Sequence, residues 1–337
     1  MNTMNQSKVV VVTGASAGVG RATARAFAEQ GARIGLLARG ETGLEGARQD
    51  VEEAGGEALV VPTDVSDAEQ VEAAAETVED EFGPIDVWVN NAMTSVFSPA
   101  SEMTAEEYRR VTEVTYLGYV HGTKTALDRM RPRDEGTIIQ VGSALAYRGI
   151  PLQSAYCASK HAIQGFTESV RTELIHEGSD VQLTMVEMPA MNTPQFDWLK
   201  NRLPNKPQPV PPIYQPEVAA RAIVWAAEHD RDELWVGWPT VKAIIGNRIV
   251  PRWLDRRLAQ SGYESQQTDE PEDATREHNL WNPVQGDYGA HGRFDEQSRT
   301  WSSQFWLTTH RRVVALIGMA ISGLIGIIVT KWRTQSK

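Results

Sequence analysis

Tyr156 and Lys160 stand four residues apart, and Ser143 precedes Tyr156 by thirteen. A tyrosine hydroxyl can exchange a proton with a carbonyl or alcohol oxygen, and a serine hydroxyl can hydrogen-bond the oxygen where charge develops. Residues at i and i+4 share one helical face, so the tyrosine and lysine would act side by side. An unperturbed tyrosine pKa of about 10 is too high for efficient proton exchange near neutrality, and a neighbouring ammonium would lower it. Taken alone, Tyr-x-x-x-Lys also describes many exposed helix faces. Its weight comes from a second feature far upstream, the turn Thr13-Gly14-Ala15-Ser16-Ala17-Gly18-Val19-Gly20. Glycines let a backbone approach a pyrophosphate, and a helix opening there offers N–H donors and partial positive charge. Dinucleotide turn and Ser/Tyr/Lys set together imply hydride transfer to or from a nicotinamide.

The elements that must position these residues are readable. Residues 9–12 form an unbroken β-branched run, a strand buried on both faces, and residues 21–30 read as an alanine-rich helix stopped by Gly31. Strand, glycine turn and helix is the context that a phosphate-binding turn requires. Residues 136–142 read as another buried strand, which sets Ser143 at its C-terminal end, where open parallel sheets bind ligands. Strands at 33–38, 57–61, 85–90, 181–187 and 233–236 alternate with helices at 66–82, 104–130 and 216–229, the long one opening on a Thr104/Glu107 capping box. The expectation is a Rossmann-type, doubly wound parallel α/β sheet over residues 1–240.

Over about residues 7–240 the chain resembles the short-chain dehydrogenase/reductase family. The resemblance rests on Thr13-Gly14-x-x-x-Gly18-x-Gly20, Asp64-Val65, Asn90-Asn91-Ala92, the Ser143/Tyr156/Lys160 set, and Pro189 with Thr193. It implies that Tyr156 is the acid/base, assisted by Ser143 and by Lys160, which would also hold the nicotinamide ribose. It further implies cofactor contacts at Gly14, Ser16, Gly18, Val19, Gly20, Asp64, Val65, Asn91, Ala92, Pro189 and Thr193. Three departures stand out. Met93 and Ala190 replace family glycines, and Thr115 stands where the family places an active-site asparagine that holds a relay water. A threonine hydroxyl could organise that water, so Thr115 is expected in the catalytic group. The rival reading is a noncatalytic, nucleotide-binding scaffold tethered to a membrane.

Cofactor choice turns on the end of the second strand. Ala38-Arg39 supplies no carboxylate to repel a 2′-phosphate and offers a guanidinium to bind one. This favours NADP, with NAD as the alternative. Met93 and Phe97, after the fourth strand, and Met191 and Phe196, in the segment that the family folds over its substrate, are expected to line an apolar pocket. A small-molecule alcohol or carbonyl of apolar character would fit it.

Almost a hundred residues follow. Residues 241–263 carry apolar side chains, Trp253 and four arginines, and read as an amphipathic helical extension broken at Pro251. Residues 264–305 are polar and read as a poorly ordered linker, part of which Trp281, Tyr288 and Phe294 could dock locally. Residues 306–333 contain an uncharged apolar run, 313–330, long enough at about 27 Å to cross a bilayer core. A single-pass C-terminal anchor is expected, binding membrane lipid, with the catalytic domain in the cytoplasm where NADP is supplied. Gly318, Ser322 and Gly326 form a small-residue face that could pair helices into a homo-oligomer. A formal net charge of −11 argues against nucleic acid as a partner, the single cysteine allows no intrachain disulfide, and the seven histidines lack metal-ligand spacing.

Overall fold

The computed structural model describes residues 7–273, 275–311 and 313–314. The chain opens with β1 (Val9–Thr13), α1 (Gly18–Ala28), β2 (Arg33–Ala38), α2 (Glu41–Glu53), β3 (Glu57–Pro62), α3 (Ala68–Phe82) and β4 (Val87–Asn90). A short β5 (Val96–Phe97) precedes α4 (Ala105–Thr112), a π-helical turn (Glu113–Leu117), α5 (Gly118–Met130), β6 (Thr137–Ser143), α6 (Ser154–Glu177) and β7 (Gln182–Met188). Then come α7 (Gln195–Trp198), β8 (Lys200–Asn201), β9 (Asn205–Pro207), β10 (Ile213–Tyr214), α8 (Pro216–Ala226) and β11 (Glu233–Trp235). The remainder forms α9 (Gly237–Ile249), α10 (Pro251–Ser261), β12 (Gln267–Pro271), β13 (Ser298–Arg299) and α11 (Ser303–Thr309).

Seven strands form one parallel sheet in the order β11-β7-β6-β4-β1-β2-β3. The chain leaves β1 toward β2 and β3, then returns to the other side of β1 for β4, β6 and β7. That reversal opens a crevice beyond the strand ends between β1 and β4, the place where such sheets bind ligands. Every residue of β1, β4 and β6 is buried, as continuous apolar strands require. Val10, Val12 and Phe27 belong to one face's core with residues of α8, while Val9, Val11 and Trp88 belong to the other with residues of α3 and α5.

The long helix expected over 104–130 is interrupted. Its capping box is present, with the Thr104 hydroxyl accepting from Glu107 N and the Glu107 carboxylate accepting from Thr104 N. After two turns it widens into the π-helical turn before continuing as α5, and such insertions concentrate at functional sites. The amphipathic extension breaks at Pro251, which ends α9 and begins α10, because a proline ring cannot continue the preceding helix. Ile249 is 71% exposed and Trp253 60% exposed on these helices.

Residues 264–305 are not the poorly ordered linker that their composition suggests. β12 pairs antiparallel with β9, and β13 pairs with β10. Leu280 and Phe294 are buried, the first beside Val96, Met103 and Val111, the second beside Phe97 and Phe196. Burying one such side chain is worth about 1.5–3 kcal/mol, and polar neighbours add bonds to the domain. The transmembrane expectation falls almost wholly outside the described residues. Among the described residues, no helix is long and apolar enough to cross a membrane.

Candidate active site

β1 delivers the chain directly into the glycine turn. Gly14 takes φ of +67°, in the left-handed region that favours glycine. Gly20 sits so close to the Gly14 carbonyl oxygen that a side chain there would collide with it, so α1 can fold back onto the turn only with glycine at this position. The Thr13 hydroxyl locks the turn to the end of β4 by accepting from Asn91 N at 2.9 Å and Ala92 N at 3.1 Å. Asn91 returns a bond from Nδ2 to the Thr13 carbonyl at 2.9 Å. The glycine turn is therefore fixed to the end of β4 at the floor of the crevice.

At one end lie Arg39 and Asp64. Arg110 holds Asp64 through a 2.7 Å ion pair, and Ser66 adds a 2.7 Å hydrogen bond. Burial would raise the Asp64 pKa, but these partners overcome it and hold the group low. Arg39 lies at the cavity wall, and its two terminal nitrogens donate to the carbonyls of Trp281 at 2.8 Å and Asn279 at 2.6 Å. A guanidinium carries about five N–H donors, so donors remain for a ligand.

At the other end β6 sets Ser143 at its C-terminus and α6 brings Tyr156 and Lys160 beside it. Lys160 is 2% exposed and donates to the Val141 carbonyl at 2.7 Å and to the Tyr119 hydroxyl at 3.0 Å. Its nitrogen lies 5.6 Å from the centroid of the Tyr156 ring. Burial pulls the Lys160 pKa down to about 7, with Glu187 opposing the shift. Burial pushes the Tyr156 phenol well up, while its hydrogen-bonding neighbour Ser143 works the other way. A lowered tyrosine is expected from the spacing of Tyr156 and Lys160, but in the protein alone desolvation is the larger influence and raises it.

One cavity of about 450 Å³ joins the two ends. It is lined by Gly14, Ser16, Gly18 and Val19 of the turn, by Arg39, Asp64, Val65, Asn91 and Ala92, and by Ser143, Tyr156, Lys160, Pro189 and Thr193. Met93, Phe97, Met191 and Phe196 line it too, and Phe97 and Phe196 meet edge-on with ring centroids 6.2 Å apart. A continuous slot floored by glycine backbone, with polar groups at both ends, fits an extended dinucleotide. Two expected residues do not line it. Gly20 acts from behind by allowing the close approach described above.

Thr115 is the second. It lies in the π-helical turn, fully buried, and its hydroxyl accepts from Thr94 N at 3.0 Å and donates to the Thr94 carbonyl at 2.8 Å. Its one donor is committed to the backbone after β4, which leaves a single lone pair for the relay water expected of it. Tyr119, four residues further on, meets Lys160 instead and also donates to the Val141 carbonyl at 2.9 Å. Its signal in the sequence is the i+4 spacing from Thr115. Glu187 was also legible, as the one acidic residue in the apolar strand at 181–187. It is fully buried, and neither carboxylate oxygen has a hydrogen-bond partner among the described residues. Burial pushes its pKa well up, Glu233 adds to the rise, and Lys160 opposes it.

The fold, the turn and the Ser/Tyr/Lys set define a dinucleotide-dependent oxidoreductase, and the comparisons give its family. The short chain dehydrogenase model matches residues 8–202, and the chain belongs to that family, whose oxidoreductases act on CH–OH groups. The uncharacterized oxidoreductase YxnA of Bacillus subtilis is 33% identical over 322 residues, covering 95% of this chain and 89% of that protein. That match therefore reaches well beyond the family model, into the C-terminal extension. 3beta-hydroxysteroid dehydrogenase 1 of Eggerthella lenta is 37% identical over 193 residues, 56% of this chain and 72% of that one. Among solved structures, an alcohol dehydrogenase from the archaeon Thermococcus sibiricus, complexed with 5-hydroxy-NADP, superposes with a TM-score of 0.58 at 31% identity, covering 68% of this chain and 95% of that one.

Proposed function

We propose that the protein is an NADP(H)-dependent oxidoreductase that interconverts an apolar alcohol and its carbonyl, with Tyr156 as the acid/base. The observation that carries this reading is the convergence of Ser143, Tyr156 and Lys160 on the same cavity that the glycine turn floors. The bound dinucleotide supplies or accepts the hydride. In the reductive direction Ser143 hydrogen-bonds the carbonyl oxygen, and Tyr156 gives that oxygen its proton as the carbonyl carbon gains the hydride. Lys160, held by Val141 and Tyr119, stabilises the phenolate that remains. Tyr119 is a positioning residue in this scheme and touches no reacting atom.

Arg39 at the cavity wall, without a carboxylate at the end of β2, supports NADP over NAD, and the 5-hydroxy-NADP complex of the archaeal relative is in keeping with it. The buried aromatic wall of Phe97 and Phe196, with Met93 and Met191, supports an apolar substrate, as does the steroid named for the Eggerthella relative. We also read residues 313–330 as a membrane anchor from their unbroken apolar character, with the enzyme domain on the cytoplasmic side. The test is NADPH oxidation with a matched carbonyl panel. Long-chain or polycyclic ketones should give higher kcat/KM than small polar ketones or sugars. The reverse order would refute the apolar pocket, and no turnover with any carbonyl, under NADPH or NADH, would favour the noncatalytic scaffold.

A further inference from the structure

The extension beyond the sheet does not stay clear of the cofactor cleft. Starting at Asn279, the chain crosses that cleft from the Arg39 end past the glycine turn to the neighbourhood of Thr193, and it is fastened to the domain at both ends and in the middle. At the first end, Arg39 donates to the carbonyls of Asn279 and Trp281, and Arg110 Nε donates to the Leu280 carbonyl at 3.1 Å. The Leu280 side chain is wholly buried below. In the middle, Asp287 forms an ion pair with Arg21 of α1 and lies against Gly46 of α2, where any larger side chain would displace it. The Gly289 carbonyl then accepts a hydrogen bond from Gly18 N, in the glycine turn itself, at 3.1 Å. At the far end, Phe294 N donates to Asn192 Oδ1 at 3.0 Å, beside Thr193. Between these fastenings Val284, Gly286 and Tyr288 face the same cavity as Gly14 and Ser16.

We propose that residues 279–292 are part of the dinucleotide site, a strap that closes over the cofactor and must be released for the cofactor to enter or leave, with Asp287 and Arg21 as its latch. A dinucleotide carries a wide group at each end, so it cannot be threaded lengthwise beneath a chain pinned at both ends and at the turn between. Exchange then needs the strap to lift. The middle fastening is the one to yield, because Leu280 and Phe294 anchor the ends in apolar clusters while Asp287 is 41% exposed. Glycines at 286, 289 and 292 give this stretch the backbone freedom to move.

The inference rests on the dinucleotide reading above, so equilibrium binding comes first. Fluorescence titration of the full chain with NADPH and NADH establishes whether either binds, and binding by neither would sink both readings. Stopped-flow binding and displacement then compare the natural protein with Asp287→Asn. Arg21 keeps its 2.7 Å partner Asp50 in that variant, so the fold is retained, which thermal unfolding verifies. A strap that limits exchange should make NADPH entry and release both faster, on the order of tenfold for the loss of one charge-assisted contact, with the equilibrium constant changing much less. Hydrogen exchange across residues 279–292 should slow when NADPH is added. Unchanged rates in both directions would overturn the strap, as would faster release with unchanged entry, which marks a simple contact. Exchange in 279–292 indifferent to NADPH would overturn it as well.

Discussion

At the scale of single residues, the site turns on a buried lysine. Lys160 owes its pKa of about 7 chiefly to desolvation, and the Tyr119 hydroxyl and the Val141 carbonyl are the acceptors that favour its charged form. The groups facing it are Tyr119 ahead of β6, Tyr156 on its own helix and Glu187 on β7. The sign of the pH dependence follows. Below about 7 the ammonium is present and supports the departing phenolate; above it the charge is lost. Tyr156, pushed up by burial, keeps its proton across that range. Carbonyl reduction should therefore slow as pH rises through about 7. Tyr119→Phe removes an acceptor from the ammonium and should move this limb to lower pH, with KM for the carbonyl little changed. A pH–kcat profile for the two proteins measures it, and coincident limbs would remove Tyr119 from the positioning role.

At the scale of elements, the sheet was legible because its strands are continuous apolar runs and its turns are punctuated by glycine and proline. The capping box at Thr104 and the helix break at Pro251 were legible for the same reason, since each is a local rule written in a few residues. The π-helical turn was not, because no local signal in Glu113–Leu117 marks it; it coincides with the tertiary bonds between Thr115 and Thr94. The strap was legible only in part, as local docking by Trp281, Tyr288 and Phe294. Its order comes from isolated apolar anchors, Leu280 and Phe294, and from carbonyls that meet distant arginines, and none of these alters a composition average. The same holds for α11. Gln304 accepts from Gly237 N at 2.6 Å and donates to the Trp235 carbonyl at 2.9 Å, so this helix completes the domain edge beside β11 and α9. A chain ending at residue 312 should keep its unfolding temperature and NADPH affinity. A chain ending at residue 301 should lose about 1–3 kcal/mol, because the two Gln304 hydrogen bonds and the packing of Phe305 on the core go with the helix. Denaturant unfolding of the two truncations is the measurement, and equal midpoints would show α11 to be dispensable.

At the scale of the whole molecule, the chain is a dinucleotide-binding domain whose extension returns to its own active site before running on to an apolar C-terminal stretch. The proposed apolar substrate rests on Phe97 and Phe196, which line the cavity with Phe294 packed against them, while Ile249 and Trp253 present apolar surface beside arginines on the outside. Those features bear on which carbonyl is reduced and where, and all of them presuppose that Tyr156 performs the proton transfer. The most direct measurement is single-turnover oxidation of NADPH by a reducible ketone, comparing the natural protein with Tyr156→Phe after NADPH affinity has been matched by titration. The account predicts a rate lower by roughly 10²–10⁴-fold in the variant with NADPH binding nearly unchanged, since the hydroxyl acts in the transition state. A Tyr156→Phe protein that reduces the ketone at the natural rate would contradict it.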